Sequence, residues 1–175
     1  MTIELINLRN SILEKRYEDA LVIVDELEGM SKQAIRRNIQ SFLLRLLIHL
    51  IKNQVEQRLT NSWAASIRDS IRQIKKLNLQ DNKTAYYVKS DEWQTLLDEE
   101  FDEAIYQASL EVMNGEYQDF ELAELVNKNQ VRIAANKLLN LTYSYSVTEL
   151  FSAVDESLAE LPGGEEWTTG RSKKK

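Results

Sequence analysis

The stretch Phe42-Leu43-Leu44-Arg45-Leu46-Leu47-Ile48-His49-Leu50-Ile51 decides the fold. Ile35, Ile39, Phe42, Leu43, Leu46 and Leu50 follow the 3.6-residue repeat of one helix face, while Leu44, Leu47, Ile48 and Ile51 widen the apolar arc well beyond one stripe. A helix apolar over most of its circumference belongs at the centre of a bundle. With Ser31 as its N-cap and Gln57 near its end, the spacing predicts a central helix of about 26 residues, roughly 39 Å long. The run falls short of the roughly 20 apolar residues that cross a bilayer, so no membrane span is expected.

The flanking patterns predict further helices. Thr2 caps a segment with Leu5, Ile6, Leu8, Ile12 and Leu13 on one side, and a second segment runs from Tyr17 to Glu28, closed by Gly29. Thr60-Asn61-Ser62 opens an amphipathic helix with Trp63, Ile67, Ile71, Ile74 and Leu77 on its apolar stripe. Ser90 is expected to cap a helix carrying Trp93, Leu97, Phe101 and Ile105 as far as Asn114-Gly115. Shorter helices follow at Phe120–Val126 and Val131–Leu141, and Ser146-Val147-Thr148-Glu149 is a capping box. Leu161-Pro162-Gly163-Gly164 ends the last of them, since proline cannot continue a helix. Asp81-Asn82-Lys83 is expected to form a turn. The chain has 175 residues with only five Gly and one Pro, too few for a turn-rich β fold. The expected architecture is all-α: a single-domain bundle of about five to seven helices around one long apolar helix. It would occupy residues 1–161, followed by a flexible polar tail at 162–175.

Composition removes much chemistry. Without Cys and with one His, the chain has no thiolate nucleophile, disulfide, zinc finger or two-His metal site. No nucleophile elbow or glycine-rich phosphate loop occurs. The carboxylates Asp98, Glu99, Glu100, Asp102 and Glu103 lack the Glu-x-x-His pairs of a bundle metal site. No catalytic, cofactor-binding or metal-ligating residue is therefore assigned, and no cofactor is expected. Met1 to Leu5 carries Glu4 where a signal peptide carries Lys or Arg, so the expected location is cytoplasmic.

The net charge of −6 is unevenly spread: ten basic and two acidic residues from Lys32 to Lys76, then five basic and nineteen acidic from Leu77 to Gly170. The favoured reading is mutual neutralisation across a helix interface. The sharper reading is a basic surface of Arg36, Arg37, Arg68, Arg72 and Lys75, joined by the Lys173-Lys174-Lys175 tail, for a nucleic acid. Arg45 and His49 lie four apart on one side of the central helix, with Lys52 beside them. They form either a polar core pocket or the solvent-facing seam of a mostly buried helix, and the seam is favoured. A buried Arg45 would need a carboxylate, expected from the acidic half of the chain.

Asp25-Glu26-Leu27-Glu28, Leu46-Leu47-Ile48-His49-Leu50-Ile51-Lys52 and Ser62-Trp63-Ala64-Ala65-Ser66-Ile67-Arg68 together resemble domain of unknown function family 29, small helical bacterial proteins. The resemblance covers roughly residues 13–112, with residues 116–161 as extra helices. The family's usual Lys-Trp-Gln after the His-Leu run is Lys52-Asn53-Gln54 here, and its Cys-Pro-Tyr ending is echoed only in Tyr143-Ser144-Tyr145-Ser146. The resemblance implies an all-helical fold and no particular activity. Its characteristic positions would be Glu28, His49, Lys52, Trp63 and Arg68. The expected function is a non-enzymatic one: a protein-interaction module or small adaptor that binds a protein partner or itself. The alternative is a nucleic-acid-associated factor built on the basic block 32–76.

Overall fold

A computed structural model describes residues 1–80 and 84–172, with side chains as far as Gly170. The turn expected at Asp81-Asn82-Lys83 and the Lys173-Lys174-Lys175 tail lie outside the described residues. Eight α-helices occur among them: α1 (Ile3–Leu13), α2 (Tyr17–Glu56), α3 (Asn61–Asn78), α4 (Trp93–Ser109), α5 (Asp119–Leu125), α6 (Lys128–Ser144), α7 (Val147–Ala159) and α8 (Gly164–Ser172). A 3-10 turn, Val112–Gly115, follows α4. The protein is all-α.

The chain forms two compact units, Met1–Arg37 and Asn38–Lys175. The first holds α1 and the opening of α2, joined by a tight turn in which Lys15 has φ 60°. Thr2 caps α1 as its sequence predicts, its hydroxyl accepting from the Leu5 N–H at 3.4 Å. Only Ser11 and Ala20 are fully buried among residues 1–37.

The break expected at Gly29 and Ser31 does not exist, because α2 runs unbroken for 40 residues. A glycine inside a helix costs about 1 kcal/mol relative to alanine, which does not stop a helix with strong formers on both sides. The Glu28–Lys32 ion pair at 3.0 Å, spaced i to i+4, spans the expected break.

The second unit is built on the later part of α2. Ile39, Leu43, Leu46, Leu47, Leu50 and Ile51 are all buried, while Phe42, Leu44 and Ile48 are half-buried. Each fully buried side chain of this kind contributes about 1.5–3 kcal/mol. The wide apolar arc read from the sequence is therefore the core. The stripe of α3 (Trp63, Ile67, Ile71, Ile74) and that of α4 (Trp93, Leu97, Phe101, Ile105) are buried too. Arg45 ties α2 to Asp69 of α3 at 2.6 Å, and Gln40 ties α2 to Glu99 of α4 at 3.3 Å. Helix α3 also packs on α6 and α7, α4 packs on α5 and α6, and α8 packs on α7.

Three local expectations need correction. Ser90 does not cap α4, which begins at Trp93 and ends four residues before Met113. The Glu92 carboxylate instead accepts from the Lys89 N–H at 2.7 Å, closing a turn ahead of the helix. In α5 the buried residue is Leu122, and Phe120 is exposed, one position round from the expected stripe. The polar tail assigned to 162–175 contains α8, and Trp167 is buried with its indole N–H donating to Asn61 Oδ1 at 2.9 Å. The indole N–H thus has the acceptor a buried tryptophan needs, and α8 packs on α7.

Candidate functional site

The polar side of α2 in the second unit brings together three of the singled-out residues, His49, Lys52 and Trp63. Lys52 is buried, and its ammonium pairs with the carboxylate of Glu111, which is itself exposed. The same ammonium stands 5.0 Å from the centroid of the Trp63 ring, and the Arg58 guanidinium stands 4.8 Å from it. An indole face attracts cations through its quadrupole. Here one buried Trp63 ring serves two of them, and Arg58 is further held by Glu56 at 3.0 Å. Lys52, Glu56, Arg58, Trp63, Glu111 and Asn114 line a cleft of about 390 Å³.

Two turns before Lys52, the Arg45 guanidinium donates to Asp69 at 2.6 Å and to the Ser66 hydroxyl at 3.3 Å. The partner carboxylate thus comes from the basic helix α3 rather than from the acidic half of the chain. Arg45 holds the Asp69 carboxyl below the ordinary carboxylate range. Both side chains are more than a third exposed, so the pair stabilises the fold by 1 kcal/mol at most, on the order of surface pairs generally.

His49 Nδ1–H donates to the Arg45 carbonyl at 2.8 Å. Burial lowers the imidazole pKa, and the neighbouring charges of Lys52 and Arg45 lower it further against the opposing effect of that carbonyl and Glu111. The unfolded chain takes up a proton at higher pH than the folded chain, so acidification favours unfolding. Stability is present above the ordinary imidazole range and is lost as pH falls through it. His49 is the one histidine in the chain. We expect the thermal midpoint to fall between pH 7.5 and 5.5, and His49→Gln to flatten that slope. Asp69 and Glu111, both with lowered pKa, contribute their own losses only in the more acidic carboxylate range.

The remaining candidates lie apart. Glu28, one of the positions the resemblance makes characteristic, is exposed in the first unit and pairs with Lys32. Arg68 packs over the Phe151 ring at 3.6 Å and meets Asp155 of α7 at 3.3 Å. Beside it Ala65, Val147, Leu150 and Phe151 wall an apolar pocket of about 260 Å³. Of the proposed basic surface, Arg36 and Arg37 belong to the first unit and Arg68, Arg72 and Lys75 to the second. Lys75 donates to the Thr142 carbonyl at 2.6 Å. On the acidic helix α4, Asp98 meets Arg132 and Lys128 of α6, while the basic block meets the acidic one at Lys52–Glu111 and Arg68–Asp155. Among the described residues, no group of three or more His, Asp or Glu side chains could hold a metal ion.

The first unit carries a different feature. Ile3, Leu5, Ile6, Ile12 and Leu13 of α1 are exposed, as are Tyr17, Leu21, Val22 and Val24 of α2. A polar cleft of about 430 Å³ lies between the two helices on one side, lined by Asn7, Asn10, Glu14, Asp19 and Glu26 among others. Helical spacing puts Leu5, Leu8 and Ile12 on one stripe and Tyr17, Leu21 and Val24 on another, both turned away from that cleft. The periodicity of these residues is plain in the sequence. Their exposure is not, because an amphipathic pattern marks a face to be covered without saying by what.

Fold and site together define a small helical protein with a polar seam and an uncovered apolar hairpin. The family model described as domain of unknown function DUF29 matches residues 7–144, and the chain belongs to this family. The match begins before the 13–112 stretch that carries the resemblance and runs on through α6. No curated protein and no solved structure matches the chain. Among the described residues, no helix is long and apolar enough to cross a membrane.

Proposed function

We propose that this protein acts in the cytoplasm as a non-enzymatic interaction module, binding protein through the apolar side of the α1–α2 hairpin. The observation that carries this reading is the row of exposed aliphatic side chains on Met1–Arg37, with Ile3, Leu13 and Leu21 between 63% and 72% exposed. A contiguous apolar patch of more than a few hundred Å² on a protein surface marks an interaction site. The polar seam supports the same reading. His49 directs Nδ1 at a carbonyl of its own helix and Lys52 is held by Glu111 beyond α4, so both groups are engaged within the fold.

Less supports the nucleic-acid reading. Arg68 stands over Phe151 beside Asp155, and Lys75 is engaged by a carbonyl, which breaks the row that would track phosphates.

The test is a cross-linking pull-down from the native host with the wild-type chain and with Leu21→Glu/Val24→Glu. A protein captured by the first and lost by the second is the expected result. Identical captures by both chains, or none by either together with a monomeric wild type, would remove the proposal.

A further inference from the structure

The occupant of the hairpin's apolar face follows from its size, its spacing and its charge order. A unit of 37 residues with one buried Ser and one buried Ala has almost no core of its own. Units below about 40 residues are usually completed by disulfides, metals or association. Disulfides are excluded by the absence of Cys, and no metal-holding cluster occurs among the described residues. Association remains.

Tyr17, Leu21, Val24, Glu28, Ser31 and Ile35 are spaced by alternating fours and threes along α2, the spacing of a two-stranded seam. Glu18, Asp25 and Lys32 follow at intervals of seven along one edge of that seam, and Arg36 stands one turn beyond Lys32. The edge therefore reads acid, acid, base, base along the helix. Against a parallel copy, like would face like. Against an antiparallel copy the order reverses, and Lys32, which pairs with Glu28 of its own chain at 3.0 Å, and Arg36 come opposite the acids of the other.

We propose that the partner is a second copy of this chain, joined by an antiparallel two-fold pairing of the α1–α2 hairpins into a four-helix bundle. The proposal rests on the interaction reading above and names its partner. A two-fold interface is self-complementary by necessity, and the reversed charge order supplies that property. The interface covers the aliphatic stripes of α1 and α2 and leaves the polar cleft open to solvent.

The experiment uses the full chain in sedimentation velocity and two charge-reversed variants. Glu18→Lys/Asp25→Lys makes the edge entirely basic, and Lys32→Glu/Arg36→Glu makes it entirely acidic. Both exchanges keep good helix formers at helical positions, and because Lys32→Glu also removes the Glu28–Lys32 pair, circular dichroism of each variant is recorded to establish that the hairpin stays helical. The wild type is expected to be a dimer at micromolar concentration. Each variant alone should dissociate with a constant weakened roughly tenfold or more. An equimolar mixture of the two should recover the dimer as a heterodimer, and the effect should shrink in high salt. A wild type that stays monomeric to about 100 μM, variants that dimerise as tightly as wild type, or a mixture that fails to recover would each overturn the proposal. A monomer that still captures a protein lost on Leu21→Glu/Val24→Glu overturns the second-copy partner and leaves the interaction reading intact. A monomer that captures nothing removes both.

Discussion

Gly164→Ala is expected to undock α8 and to lower the stability of the second unit by about 2 kcal/mol or more. A Cβ at this position would lie 2.3 Å from the Leu158 carbonyl oxygen and 2.5 Å from that of Ala159. Neither atom can move without distorting the end of α7. The neighbouring Gly163 has φ +72°, and a Cβ there would meet the Arg58 Cα at 2.7 Å. Backbone thus touches backbone on both sides of the Pro162-Gly163-Gly164 turn, and the buried Asn53 amide fixes it by donating to Pro162 O at 2.8 Å and to Arg58 O at 3.0 Å. Alanine at a positive φ or in a contact this close costs more than the unfolded-chain entropy it saves. The check is Trp167 emission, which should shift to the red as the indole leaves Asn61 for solvent. Gly170→Ala, where an added Cβ meets nothing within 4 Å, is the matched control and should leave emission unchanged.

Asn78→Ala is expected to cost about 3 kcal/mol, read as a lower urea midpoint at unchanged slope. Asn78 ends α3 fully buried, and its side-chain amide acts as a stub of backbone for the segment returning from Thr84 to Ser90. Its Oδ1 accepts from the Val88 N–H at 2.7 Å, and its Nδ2 donates to the Val88 carbonyl at 2.9 Å. Val88 is itself fully buried, so removing the amide leaves a desolvated N–H with no acceptor. The Val88 carbonyl keeps one donor, the Tyr143 hydroxyl at 2.8 Å. Burial pushes that phenol up to about 12, so it remains a donor across the accessible pH range. Asn78→Asp should fall between wild type and alanine, since a carboxylate can still accept from Val88 N–H but cannot donate to its carbonyl.

Elements with strong local signals were legible in the sequence. Thr60 caps α3 by accepting from the Trp63 N–H at 3.0 Å, and Ser146 and Glu149 form the box that opens α7, because such caps depend on residues three apart. The buried arc from Ile39 to Ile51 was legible for the same reason: 3.6-residue periodicity is a local property. What was hidden depends on neighbours distant in sequence. Gly29 reads as a terminator until the helix is seen to continue through it, and Trp167 reads as part of a tail until Asn61 is seen beside it. The candidate site divides along the same line. His49, Lys52 and Trp63 stood out by residue type, while Glu111 and Arg58, which set their charge environment, and Asp69, which holds Arg45, are ordinary surface residues in one dimension. Only the fold brings Glu111 to a lysine 59 positions earlier.

The placement of the tryptophans has a spectroscopic consequence. Trp63, Trp93 and Trp167 are all buried in the second unit, and residues 1–37 contain no tryptophan. Indole emission is therefore blind to the hairpin, which can melt, open or change partners while the fluorescence trace stays flat. Far-ultraviolet circular dichroism counts helical residues in both units. Any gap between the two melting curves belongs to Met1–Arg37, so the unlabelled protein carries its own internal reference for that segment.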